Sequence, residues 1–134
     1  MATLNATLTL TSTDLVEDQN LTVTLTDALS VLGPVKTTRH IIASGSSNLA
    51  ADNTVLANGS YTISYVLLYN TSSTANEIIT IGTDTNTDAT LNTVQFSIGA
   101  GEFAFFPWDS SIDMVADAAN GNPVLEVRIF QAAV

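Results

Sequence analysis

Cysteine is absent from the 134-residue chain. Its absence excludes a disulfide framework, a thiolate nucleophile and any zinc or iron–sulfur site that needs cysteine ligands. Histidine is nearly absent too, since His40 is the only one, and a histidine metal site needs several such ligands that converge on one ion. We therefore expect neither a metal nor any other cofactor.

Charged residues are also scarce, at 12% of the chain against roughly 25% in globular proteins. Lys36, Arg39 and Arg128 are the three fixed cations, and the net charge is −10. Binding to a phosphate backbone needs several Lys or Arg contacts, so we expect no nucleic-acid partner. Surfaces with little charge are easy to desolvate, which suits a protein that packs against other proteins.

Long apolar runs are missing as well. No stretch reaches the roughly 18 apolar residues of a membrane span, and the opening residues lack the basic region and continuous apolar run of a secretion signal. We therefore expect synthesis in the cytoplasm, no Sec export and no membrane partner.

Alternation of apolar residues with threonine takes the place of such runs. Leu4, Ala6, Leu8 and Leu10 alternate with polar residues, and so do Leu21, Val23 and Leu25 after an acidic turn at 14–20. This period of two predicts half-buried strands. Threonine is β-branched and suits a pleated surface.

Turn signals divide the rest of the chain into further short strands. Gly33-Pro34 is expected to end the second strand and Pro107 a later one, while residues 110–120 predict a short helical turn or an irregular crossover. Other strands are expected at 36–42, 61–69 (the longest of them), 77–81, 94–98, 102–106 and 124–132. Eight or nine strands without an ordinary amphipathic helix indicate an all-β fold, a jelly-roll sandwich of about eight antiparallel strands in one domain, 1–134.

The closing strand has apolar residues on both faces. Leu125, Val127 and Ile129 share one parity, and Val124 and Phe130 share the other. A strand without a polar face predicts either a central place in its sheet or a surface covered by a neighbouring subunit.

Three features could form a site, and each has a structural alternative. Lys36, Arg39 and His40 form a basic cluster that favours a structural or interface role, and as a functional patch they would dock a carboxylate-bearing partner. The segment 84–88 begins like a calcium loop, but Ala89 and Gln95 replace the required Gly and Glu, which favours an ordinary polar loop. Tyr61, Tyr65 and Tyr69 could stack sugars, although the interleaved Ile63 and Leu67 favour the core.

Catalytic machinery is not recognisable. No Gly-x-Ser-x-Gly elbow exists, and none of the thirteen acidic residues is marked as one of a catalytic pair. We therefore do not expect an enzyme.

Two segments carry a family resemblance. At 98–108 (IGAGEFAFFPW) and 124–131 (VLEVRIFQ) the chain resembles small virion structural proteins of tailed phages. The resemblance implies a jelly-roll decoration, or cement, protein on the outside of an icosahedral capsid. It also implies that the partners are the major capsid protein and further copies of the chain, as a homotrimer.

The aromatic residues of the first segment are the predicted interface. Phe103, Phe105, Phe106 and Trp108, with the strand 125–130, are expected to be interface or core elements. Trp108 is the expected anchor and has the core as its alternative. A fibre-tip or receptor-binding module that recognises carbohydrate through the tyrosines is the second hypothesis, and a pilus or surface-layer component is the third.

Overall fold

The computed structural model describes residues 1–16, 19–44, 54–57, 64–84, 91–108 and 111–133. Within these ranges all regular structure is β, and no helix that could cross a membrane is present among them. The nine described strands are β1 (Ala2–Val16), β2 (Gln19–Ile41), β3 (Thr54–Leu56), β4 (Ser64–Asn70), β5 (Ile79–Asp84), β6 (Thr93–Ile98), β7 (Phe103–Trp108), β8 (Asp113–Ala118) and β9 (Val124–Ala132).

The strands form two antiparallel sheets with the orders β1-β2-β9-β4-β7 and β3-β8-β5-β6. The pairs β2·β9, β3·β8, β4·β7 and β5·β6 are nested, each joining an early strand to a late one. Such nesting arises when one long antiparallel hairpin is rolled into two facing sheets, which is the jelly roll. The predicted eight-stranded fold is confirmed, and β1 is an additional strand on the edge of the first sheet.

The two sheets bury one apolar core between them. Residues of β4 show the alternation, because Val66 and Leu68 are fully buried while Leu67 between them is only half-buried. β9 lies in the middle of its sheet, so the central place predicted from its two apolar faces is confirmed. The buried core cluster is Ile42, Val55, Leu56, Val66, Leu68, Ile79, Ile81, Ile98, Met114, Ala116, Ala118, Leu125, Val127 and Ile129.

β2 is one strand with two partners. Residues 31–32 and 36–41 pair with β9, whereas residues 19–31 pair with β1. Residues 2–16 and 19–31 form the N-terminal hairpin. The register shifts between Leu32 and Lys36. The prediction that Gly33-Pro34 ends the strand is therefore wrong, because the ladder absorbs this segment as an irregularity and continues.

Two other local predictions are wrong for a related reason. Pro107 does not end β7, which runs on to Trp108. Among the described strands β7 pairs only with β4, and an edge strand tolerates the missing N–H of proline. Residues 113–118 form β8 and no helical turn, because this strand is paired on both sides, with β3 and β5. β2 rather than the 61–69 segment is the longest described strand.

Candidate functional site

The outer face of the five-stranded sheet is the surface turned away from the core. Cross-strand register places its side chains in rows. One row runs Phe103, Tyr69, Glu126, Arg39 from β7 to β2. The next row runs Phe105, Leu67, Arg128, Thr37 in the same direction. The face is therefore aromatic over β7 and β4 and charged over β9 and β2.

The aromatic half contains side chains that a monomer would ordinarily keep inside. Phe103 is 64% exposed, and Tyr69 and Phe105 are exposed as well. Phe105 stacks on Tyr65 with ring centroids 6.2 Å apart and meets Phe130 edge-on at 6.5 Å. Phe105 therefore packs between Tyr65 and Phe130, and together with the exposed Phe103 and Tyr69 these rings form an apolar patch on the sheet.

The charged half is organised around one buried carboxylate. Glu126 is only 7% exposed, and both of its oxygens are occupied. Arg39 donates from Nε at 3.1 Å and from Nη2 at 3.0 Å to Oε2. Arg128 donates from Nε at 2.8 Å to Oε1 and lies 2.6 Å from it through Nη2. Two exposed guanidinium groups are thus held rigidly on one carboxylate, with a net charge of +1 for the three side chains.

The same contacts set the protonation of Glu126. Hydrogen bonds from Arg128 and then from Arg39 lower the pKa of this carboxyl, against a smaller opposing effect of burial. The carboxylate consequently stays ionised well below neutral pH, and the arginines remain positioned.

A groove separates the N-terminal hairpin from the aromatic half of the outer face. The groove is open to solvent and has a volume of about 540 Å³. From the hairpin it is lined by Leu4, Ala6, Thr7, Leu8, Leu25, Thr26 and Asp27, and from the sheet by Leu67, Phe103, Phe105 and Phe130. The sequence predicts half-buried strands here, and Leu4 is half-buried whereas Leu8 and Leu25 are exposed. Alternation shows that a strand has an apolar face but does not show what covers that face.

The predicted aromatic interface is divided between two surfaces. Phe103 and Phe105 lie on the outer face, as an interface role requires. Phe106 and Trp108 point the other way and pack against the core, where Phe106 meets Phe96 edge-on at 5.5 Å. Trp108 is half-buried and packs against the core, which is the alternative that the sequence left open for it. Odd and even residues of a strand point to opposite sides.

The basic cluster is divided in the same way. Arg39 lies opposite Glu126 on the outer face, whereas Lys36 and His40 lie opposite the core residues Ile129 and Leu125. The three residues of the cluster therefore do not share one face of the sheet. Only Arg39 contributes to the outer face. On the other side, the hydroxyl of Thr38 lies 3.1 Å from Nε2 of His40.

His40 links stability to pH. Burial, and then the charge of Lys36, lowers the pKa of His40 from its ordinary value of 6.5. The unfolded chain therefore binds this proton more readily than the folded chain does. We expect stability to fall as the pH drops through about 6.5 towards the lower folded-state pKa. Urea unfolding between about pH 7.5 and 5.5 measures the slope.

A His40→Gln variant is the control for this dependence, because glutamine can still bond Thr38 but does not titrate. Its stability should be flatter over the same interval. The ionised Glu126 side chain also contributes to stability, but that contribution is lost only as the pH falls from the ordinary value of 4.5 towards the lower folded-state pKa. This range lies below the interval of the urea experiment. Equal slopes in the two proteins would assign the dependence to other groups.

The tyrosine positions differ from the prediction. Tyr65 and Tyr69 lie on the outer face and Val66 and Leu68 face the core, so the predicted core location of the tyrosines is wrong. Odd-numbered and even-numbered residues of β4 are both largely apolar, so the sequence does not show which set is buried. The pairing of β4 with β7 and β9 determines it. Tyr61 and Ile63 lie outside the described residues.

The calcium interpretation of the segment 84–88 is left untested. Asp84 closes β5 and is buried, but residues 85–90 lie outside the described part of the chain. Within that part, no three acidic or histidine side chains converge as a metal site would require.

Comparison of the chain with protein-family models, with curated proteins and with solved structures found no match.

Proposed function

We propose that this chain is a structural protein of a tailed-phage virion, a decoration protein that binds the outer surface of the icosahedral head and stabilises it. The observation that carries the proposal is the outer face, where an aromatic patch lies beside two exposed arginines. A surface of this kind is stable in water chiefly when another protein covers it. The jelly roll also occurs in viral capsid proteins, which is support by analogy of fold.

The charged half of the outer face is the proposed contact with the major capsid protein. Arg39 and Arg128 are two of the three fixed cations in a chain of net charge −10. Their shared carboxylate fixes their direction, so little side-chain entropy is lost on docking. A capsid surface with a carboxylate at the matching position would receive a charge-assisted hydrogen bond. Repetition over many symmetric sites would stabilise the shell by mass action.

The proposal is tested by adding the purified chain to heads that lack it and measuring bound copies against the major capsid protein by quantitative mass spectrometry. A ratio near one to one is expected for an icosahedral decoration. The triple variant Arg39→Gln, Glu126→Gln, Arg128→Gln removes all three charges together, so it leaves no buried charge unpaired. It should bind heads at least tenfold more weakly.

Lys36→Gln is the matched control, because it removes the same charge from the opposite side of β2. It should bind as the wild type does. A few copies per particle, found only on the tail, would instead indicate a fibre protein. No binding to any particle would refute a virion role.

A receptor-binding module for carbohydrate is the second candidate. The observation that favours it is the position of two tyrosines on the outer face, where Tyr65 stacks on Phe105 and Tyr69 lies opposite Phe103. Flat rings with polar tips are suited to stacking on sugars. Binding to a glycan array that is lost in Tyr69→Ala would favour this function over the capsid role.

A further inference from the structure

We propose that the N-terminal hairpin of one copy packs across the aromatic half of the outer face of a second copy. This inference goes beyond the capsid role, because it concerns how free chains associate before any particle is present.

The hairpin is a strongly amphipathic ribbon. Paired residues of an antiparallel ladder point to the same side, so Leu8 with Leu25 and Leu10 with Val23 share one face. The opposite face pairs threonines, as Thr9 with Thr24. The apolar face is covered unevenly within its own chain, since Leu25 is 62% exposed and Leu8 and Leu10 are exposed, whereas Leu4, Val23 and Leu29 are half-buried.

A ribbon of this kind needs a covering surface. Among the described strands β1 pairs only with β2, and two strands alone are marginally stable in water. The hairpin joins the roll at one end, where Val31 and Leu32 pair with Ala132 and Gln131. Beyond this junction its stability depends on burial of the leucine face.

The chain's own sheet supplies that burial only in part. The hairpin lines one wall of the groove and the aromatic half lines the other, yet about 540 Å³ stays open between them. Leu25 on one wall and Phe103 on the opposite wall both remain exposed. Both walls of the groove are largely apolar, but the exposed residues on them do not bury one another.

A second copy fits these surfaces better than an unrelated partner does. Each chain carries both an uncovered ribbon and an uncovered aromatic face, so exchange between copies covers both at once. Asp27 is the one charged side chain among the described residues that line the groove, so little charge is desolvated.

Engineered cysteines test whether the hairpin of one copy packs on the aromatic half of a second copy. Because the chain has no native cysteine, any disulfide must join the introduced residues. Two differently tagged variants, Leu25→Cys and Phe103→Cys, are mixed, refolded together and oxidised. We expect a disulfide between the two tags. A Leu25→Cys, Phe103→Cys double variant should form covalent multimers on a non-reducing gel; a compact cross-linked monomer would show that the hairpin closes on its own sheet and would overturn the proposal.

Thr9→Cys in place of Leu25→Cys is the matched control, because it lies on the threonine face of the same ribbon. It should cross-link at least tenfold less. An equal yield would refute the proposed orientation of the hairpin.

The mass in solution gives an independent readout. Light scattering of the free wild type should give a multiple of the 14.0 kDa chain, whereas a Leu8→Ser, Leu25→Ser variant should be monomeric with its roll intact by circular dichroism. A monomeric wild type, or a variant that remains assembled, would overturn the inference. Neither result depends on capsids, so failure here is distinguishable from failure of the decoration role.

Discussion

Ile81→Ala is expected to lower the free energy of unfolding by about 2–5 kcal/mol. Ile81 is 0% exposed and lies in β5, a strand paired on both sides by β6 and β8. Its side chain belongs to the core cluster shared by the two sheets. Removing three carbon atoms there loses their burial and leaves a cavity, which neighbours in two sheets can fill only in part.

Ile41→Ala is the matched control, because the deletion is the same and Ile41 is 68% exposed. It should change stability by less than about 0.5 kcal/mol. Urea denaturation of both variants, with unchanged m-values, gives the comparison. Similar losses in the two variants would contradict the burial assigned to β5.

Asn70→Ala is expected to cost about 2–4 kcal/mol, although the residue is polar. Asn70 is fully buried at the end of β4. Its Nδ2 donates to the carbonyl oxygens of Glu77 at 2.8 Å and Ile98 at 3.2 Å, and its Oδ1 accepts from the N–H of Ser72 at 3.1 Å. Alanine would remove all three bonds and leave buried polar groups without this partner.

These bonds tie the two sheets together at one end of the roll. The backbone of Asn70 also bonds the turn before β7, donating to Glu102 and accepting from Gly101. Gly101 has φ +73°, a conformation that glycine adopts without strain. Loss of Asn70 should therefore loosen the turn between β6 and β7, and hydrogen exchange of the Gly101 amide should rise.

Asn120→Ala provides the comparison for Asn70. Asn120 is exposed, and its amide donates to the carbonyl oxygen of Asn76 at 3.2 Å. We expect a loss below about 0.5 kcal/mol, because water replaces the bond. Equal thermal denaturation midpoints for the two variants would contradict the proposed role of Asn70 as a buried link between the sheets.

The outer face shows how much of a site can be read from a strand pattern. The sequence predicts Phe103 and Phe105 as interface or core elements of one aromatic segment, and the structure places both on the outer face. Alternation places Phe106 and Trp108 on the opposite side of β7 from Phe103 and Phe105, and only the structure shows which side is buried. Glu126 could not be predicted as the link between Arg39 and Arg128, because the two arginines lie 89 positions apart in the chain and meet only through the pairing of β2 with β9.

The sequence by itself determined the class of fold. Period-two alternation, threonine in place of charge, and turn signals every few residues are local properties, and they dictate strands whatever the tertiary arrangement. For β9 the two apolar faces left two alternatives, a central place in the sheet or a covering subunit, and the strand order shows the central place.

Only the tertiary structure decided where each strand begins, which face it buries and what stays uncovered. Continuation of β2 past Gly33-Pro34, of β7 through Pro107, and the formation of β8 all depend on hydrogen-bond partners supplied by distant segments. The same holds for the tyrosines of β4, where both parities are apolar and pairing alone selects the buried one. The local pattern determines that side chains alternate between the two faces of a strand. Which face is buried, how long the strand is and what stays exposed are set by packing against distant segments.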